Sequence, residues 1–143
     1  MLLIRRYFCY AMVASGLLMA SPPTARADES ILLQLNKVAQ EGDSCRLHFL
    51  LTNETDTAFS SFRIQIAFFD RSGGFINSAT ADFLKVRPLK TILRFFDVPT
   101  LQCGELGKVL LNDAATCDAE DGPVANCVEM IAPTHRTEIR FYK

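Results

Sequence analysis

The side chains of this 143-residue chain that could do chemistry are two histidines, a group of carboxylates and a set of cysteines. His48 and His135 are the only histidines. A nucleophile needs a base within hydrogen-bond reach, and neither histidine accompanies a Gly-x-Ser-x-Gly elbow. His48 lies in a run where Cys45, Leu47, Phe49 and Leu51 alternate with other residues, which predicts a strand with His48 on its solvent face. His135, within Pro133-Thr134-His135-Arg136, is expected to be solvated just before a last strand. Asp113, Asp118, Glu120 and Asp121 could act as acid and base or bind calcium. Their setting reads as a polar loop, 113–121, where nothing predicts the burial that raises a carboxyl pKa. Asp118 to Gly122 also lacks the alternating acidic spacing and terminal Glu of a calcium-binding loop. The expectation is a solvated acidic loop in a protein that is not an enzyme. The alternative is a ligand- or metal-binding protein, or a small hydrolase, that uses loop 113–121 and His135.

The first 27 residues read as a secretory signal peptide. Arg5 and Arg6 form a basic start, Tyr7 to Ala20 an uncharged apolar run, and Ala25-Arg26-Ala27 a small-residue cleavage site. The apolar run is shorter than the roughly 20 residues a transmembrane helix needs. Arg5-Arg6-Tyr7-Phe8 is similar to a twin-arginine signal, but Ile4 stands where Ser or Thr is usual. The general secretory route is therefore the expected one. Removal of this segment lowers the basic count from 15 to 12 against 16 acidic residues, a formal net charge of −4. Such a chain has no basic surface to track phosphates, so no nucleic acid partner is expected. No later apolar run reaches membrane-spanning length. A soluble periplasmic domain, residues 28–143, is expected, with no cofactor.

Four cysteines remain after cleavage: Cys45, Cys103, Cys117 and Cys127. An even number in a small exported domain argues for disulfides. Intervals of 57, 13 and 9 residues match no zinc module. Four cysteines allow three pairings. Cys117–Cys127 with Cys45–Cys103 is favoured, because Cys117 and Cys127 flank a polar, turn-rich segment that a local bridge would tether.

The elements that must position these residues are short apolar stretches between turn signals. Ile31 to Val38 reads as a strand, with a helix capped by Ser30 as the competing assignment. Strands are expected at Cys45 to Leu51, Phe62 to Phe69, Phe75 to Phe83, Thr91 to Val98, Lys108 to Leu111 and Thr137 to Tyr142. Asn53 to Asp56 reads as a turn, and Gly73-Gly74 as a hairpin turn. About seven strands with no βα alternation predict a small antiparallel immunoglobulin-like β-sandwich, disulfide-stapled, with an open barrel as runner-up. Arg94 shares a face with Ile92, Phe96 and Val98, so it must lie at an edge or pair with a carboxylate. Phe68-Phe69 and Phe95-Phe96 each put one ring on each face of a strand. If one face is core, Phe69 and Phe95 are surplus rings, either covered by loops or forming a partner surface.

The stretch from Cys45 to Val98 is similar to FxLYD-type immunoglobulin-like domains of bacterial envelope proteins. The shared outline is a strand ending in Asn53, a strand ending in Phe68-Phe69-Asp70, the Gly73-Gly74 turn and a corner before Phe96. The whole mature chain also resembles an uncharacterised family of small exported alphaproteobacterial proteins, some with twin-arginine-type signals. The matching positions are Leu35-Asn36-Lys37, Cys45-Arg46, Phe69-Asp70 with Gly73 or Gly74, Lys90-Thr91, Phe96-Asp97, Cys103, Leu110-Leu111-Asn112-Asp113, Cys117 and Cys127. Leu89 departs from the small residue expected at the corner. The resemblance implies a periplasmic location and no reaction. A non-catalytic interaction or assembly accessory of the cell envelope, with a protein partner, is the expected function.

Overall fold

Alternation of apolar and polar residues builds the first sheet. A computed structural model describes residues 30–143; the predicted signal peptide, residues 1–27, lies outside them. β1 (Ile31–Glu41) is a strand, which settles the strand-or-helix question. It pairs antiparallel with β2 (Ser44–Asn53), which in turn pairs with β5 (Lys90–Pro99). Along β2 the inward residues Cys45, Leu47, Phe49 and Leu51 are buried, as their period of two requires. The second sheet is built from β3 (Phe59–Asp70), β4 (Phe75–Val86) and β6 (Leu106–Ala119), with the two-residue β7 (Gly122–Pro123) beyond. A four-residue helix, α1 (Cys127–Met130), leads into β8 (Ile131–His135) and then β9 (Arg140–Tyr142). The strand orders are β5-β2-β1-β8 and β4-β3-β6-β7, with β9 paired to β6. The result is the expected small all-β sandwich.

Three expectations are corrected. The strand expected at Lys108 to Leu111 runs on to Ala119, so Asp113 and Asp118 lie on a strand and not in a loop. Pairing against β3, at the centre of its sheet, overrides the poor strand propensity of Asn-Asp-Ala-Ala. The strand expected at Thr137 to Tyr142 is shorter, β9 at Arg140–Tyr142, and an unexpected strand, β8, precedes it in the other sheet. The pairings are also not all antiparallel: β1–β8 and β6–β9 are parallel. β8 carries Pro133, which an edge strand tolerates because its N–H side can face away from the ladder.

The core between the sheets is aromatic. Phe49 on β2 lies with its ring centroid 6.2 Å from Phe83 of β4 and 5.3 Å from Phe141 of β9, bridging the two sheets. Phe59, Phe62 and Phe68 complete the layer. Truncating a buried Phe to Ala typically costs about 3–5 kcal/mol, which is a large share of a small domain's stability.

Two turns fix the ends of this core. In the β3–β4 hairpin, Asp70 Oδ1 accepts hydrogen bonds from the Ser72 and Gly74 N–H groups, both at 2.8 Å. Gly73 takes φ of 92°, as the hairpin requires. At the opposite end, the Asn53 side chain is fully buried and uses all its hydrogen-bonding capacity. Its Nδ2 donates to the carbonyls of Thr57 (2.8 Å) and Arg87 (3.0 Å). Its Oδ1 accepts from the Thr55 N–H (3.0 Å) and the Thr55 hydroxyl (2.8 Å). The β2–β3 and β4–β5 connections are thereby tied together. At the second connection Leu89 adopts φ of 49°, the left-handed region that glycine or asparagine would favour. The backbone there has the shape expected for a small residue, although leucine occupies it.

Candidate interaction surface

Two disulfides staple the sandwich. Cys45–Cys103 joins β2 to the segment after β5, with Cα atoms 5.0 Å apart. Cys117–Cys127 joins β6 to α1, with Cα atoms 6.3 Å apart. Both pairings are the favoured ones. The second bridge borders an open depression of about 530 Å³ that Asp113 and Asp118 also line.

Of the groups named as candidate catalysts, only Asp113 and Asp118 share a depression. Asp118 pairs in register with Ser61, at the end of the sandwich where β3 begins. His135 closes β8 beside Leu35 and lines a separate depression with Arg140 and Tyr142. Glu120 and Asp121 follow β6 in the turn to β7 and do not line the depression of Asp113 and Asp118. Among the described residues, no cluster of three histidine, cysteine or carboxylate side chains is placed to hold a metal ion. His48 is half-buried on the outer face of the four-stranded sheet, its ring 5.9 Å from that of Phe95.

That outer face carries exposed apolar side chains. β5 is an edge strand, and it presents Leu93 and Phe95 at 56% and 57% exposure. Leu93 pairs in register with Leu50, and Phe95 with His48. Leu32 of β1, in register with Thr52, lies on the same face. An outer sheet face in a two-layer sandwich is ordinarily polar. Here, charge enters at Lys37 of β1, in register with His48, and at the rim formed by Arg46 and Asp97. Arg46 donates from Nε and Nη2 to the two carboxylate oxygens of Asp97, at 2.6 and 2.8 Å, and its guanidinium lies 4.7 Å from the centroid of the Phe95 ring. The paired hydrogen bonds raise the Arg46 pKa above its ordinary value and lower that of Asp97.

Phe69 lies on the other side of the molecule. It alternates with buried Phe68 on β3, so it faces outward from the five-stranded sheet. It is half-buried, in edge-to-face contact with Phe75 at 5.9 Å; Phe75 is 64% exposed. Phe69 and Phe95 therefore do not form one surface. The residues that sequence reasoning overlooked are Leu50 and Leu93. Both break the polar phase of their strands, and that out-of-phase leucine was a readable signal.

No family model matches the chain, and no curated protein matches it. Among solved structures, IrmA from Escherichia coli is similar, with 14% sequence identity and a TM-score of 0.58, over 73% of this chain and 90% of that one. At that identity the likeness is one of fold: a small β-sandwich. No helix among the described residues is long and apolar enough to cross a membrane.

Proposed function

We propose that this chain is a non-catalytic, exported protein of the cell envelope that binds a protein partner through the outer face of its four-stranded sheet. The observation that carries this reading is the pair of half-exposed apolar side chains, Leu93 and Phe95, on an edge strand beside Leu50. Contiguous apolar surface of this kind marks partner sites. Closed disulfides support an oxidising compartment, and the resemblance to small exported alphaproteobacterial proteins supports the periplasm. The separation of His135 from the carboxylates supports a role without catalysis, because acid–base chemistry needs its groups within hydrogen-bond reach.

The test is crosslinking of the tagged protein in its native envelope, with captured proteins identified by mass spectrometry. One reproducible partner is expected, lost on Phe95→Ser while the thermal transition stays nearly unchanged. Capture that survives Phe95→Ser would sink the proposed face. Capture of nothing beyond an unrelated tagged sandwich would sink the proposed role.

A further inference from the structure

β4 and β5 are terminal strands of their sheets, and they run alongside one another without pairing. Among the described residues, each carries a row of backbone N–H and C=O groups with no ladder partner on its outer side. Between them a crevice of about 250 Å³ descends to the core rings of Phe49 and Phe68. Its walls are Ala79 and Ala81 on β4, and Phe96 and Val98 on β5. The small alanines leave the space; a larger side chain at either position would fill it. An apolar void forfeits dispersion contacts, so a side chain that occupies it gains them.

The next inward position along β5 is Arg94. The ring of Phe83 packs on Phe96, centroids 5.1 Å apart, and Arg94 lines a second depression. Arg94 Nε is buried and has no hydrogen-bond partner. Asp82 lines the same depression, but its carboxylate sits 3.7 Å from Arg63. Among the described residues, no carboxylate is within ion-pair distance of Arg94. An inward charge on an edge strand blocks indiscriminate pairing. It stops being a barrier only for a strand that brings the opposite charge, and that is how an edge becomes selective.

We infer that the free edge of β5 accepts an extended segment of a partner protein carrying an apolar residue and a carboxylate two positions apart. This deepens the proposed interaction role and rests on it. In an extended segment, residues two apart face the same side, about 7 Å apart, which is also the repeat of Phe96 and Arg94 along β5. The apolar side chain fills the crevice beside Ala79 and Ala81, and the carboxylate pairs with Arg94. Backbone hydrogen bonds to β5 supply sequence-independent affinity, and these two side chains supply the selection.

The probe is a fluorescein-labelled peptide, Thr-Glu-Thr-Leu-Thr-Val-Thr, titrated into the exported, oxidised protein by anisotropy. A second peptide with Gln in place of Glu is the control, and decanoate is the small-molecule comparison. Saturable binding of the Glu peptide is expected, at least about 10-fold tighter than the Gln peptide, as a charge-assisted pair allows. Arg94→Gln should erase that difference and leave the Gln peptide unchanged. Ala79→Leu should abolish binding of both while the thermal transition is retained, and bound peptide should slow amide exchange in β5. Equal affinity of the two peptides for the wild type would overturn the inference. Binding of decanoate with no binding of either peptide would overturn it in favour of a small amphiphile. The two readings separate in the envelope capture assay. If Phe95→Ser abolishes capture but Arg94→Gln and Ala79→Leu do not, the face stands and the edge falls.

Discussion

The guanidinium of Arg46 lies over the ring of Phe95 at 4.7 Å, held there by its two hydrogen bonds to Asp97. The exposed ring thus rests on an oriented cation and has little freedom to fold back. A rigid exposed aromatic loses little entropy on binding, which suits it to anchor an interface. Phe95→Ser should shift the thermal transition by less than about 4 °C, the scale of an exposed substitution in a domain of this size. Arg46→Ala should weaken partner capture without removing Phe95 from the surface. Differential scanning calorimetry beside the capture assay checks both, and a collapse of folding in Phe95→Ser would remove the ring from the surface role.

Asn53 is expected to be the most sensitive polar position. Its side chain is buried, and its amide satisfies two carbonyls while its oxygen accepts two hydrogen bonds from Thr55. Asn53→Ala leaves several buried groups without partners, so a loss of about 3 kcal/mol is expected in urea unfolding. Asn53→Asp places an oxygen against the Thr57 and Arg87 carbonyls and should be at least as damaging. A loss below about 1 kcal/mol would mean that water replaces these bonds.

The two disulfides should contribute unequally. Cys45–Cys103 spans 58 residues and Cys117–Cys127 spans 10. The chain-entropy model assigns them about 4 and about 3 kcal/mol. The Cys45→Ser/Cys103→Ser double variant should therefore unfold at lower urea than the Cys117→Ser/Cys127→Ser variant. The reverse order would show that the local bridge orders α1 and β8 as well as restricting the unfolded chain.

Acid should weaken the fold through two carboxylates. Asp70 is held below its ordinary pKa by the Ser72 hydroxyl and then by the Gly74 N–H, and Asp97 by its hydrogen bond from Arg46. A carboxyl that is more acidic when folded contributes stability that is complete above the unfolded value of about 4. That contribution is lost as pH falls through the depressed folded values. The thermal transition should fall below about pH 4, and the fall should be shallower in Asp70→Asn and in Asp97→Asn. Parallel acid limbs in wild type and both variants would assign the transition to other groups.

Much of the fold was legible where one side chain in two is apolar. β2 and the Gly73-Gly74 hairpin are of that kind. The second half of β6 was not, because its register against β3 slips repeatedly, twice with the extra residue on β6. Ala115 is extra between the partners of Arg63 and Ile64, and Asn112 is extra between those of Gln65 and Ile66. Each bulge breaks the period of two on which the reading depends. β8 was hidden by Pro133, which reads as a breaker unless the strand is known to lie at an edge. The surplus of Phe69 and Phe95 was visible in the sequence, but their location on opposite faces was not, since it depends on which sheet each strand joins. Asn53 read as a turn residue, and nothing local reveals that its amide also reaches Arg87, 34 residues on.

The parallel pairing of β1 with β8 joins Ile31 to Ile131, 100 residues apart. The same terminal stretch lays β9 against β6 and so takes part in both sheets. Hairpins can form early and locally, but these two seams wait for a long search through the chain. Folding should therefore be slow, in the millisecond-to-second range of high-contact-order sandwiches. Until residues 131–142 dock, β1 and β6 each offer a bare edge to any neighbouring chain. The exposure of those two edges thus ends with the docking of residues 131–142, and a chaperone that shields β1 would cover one of them until then.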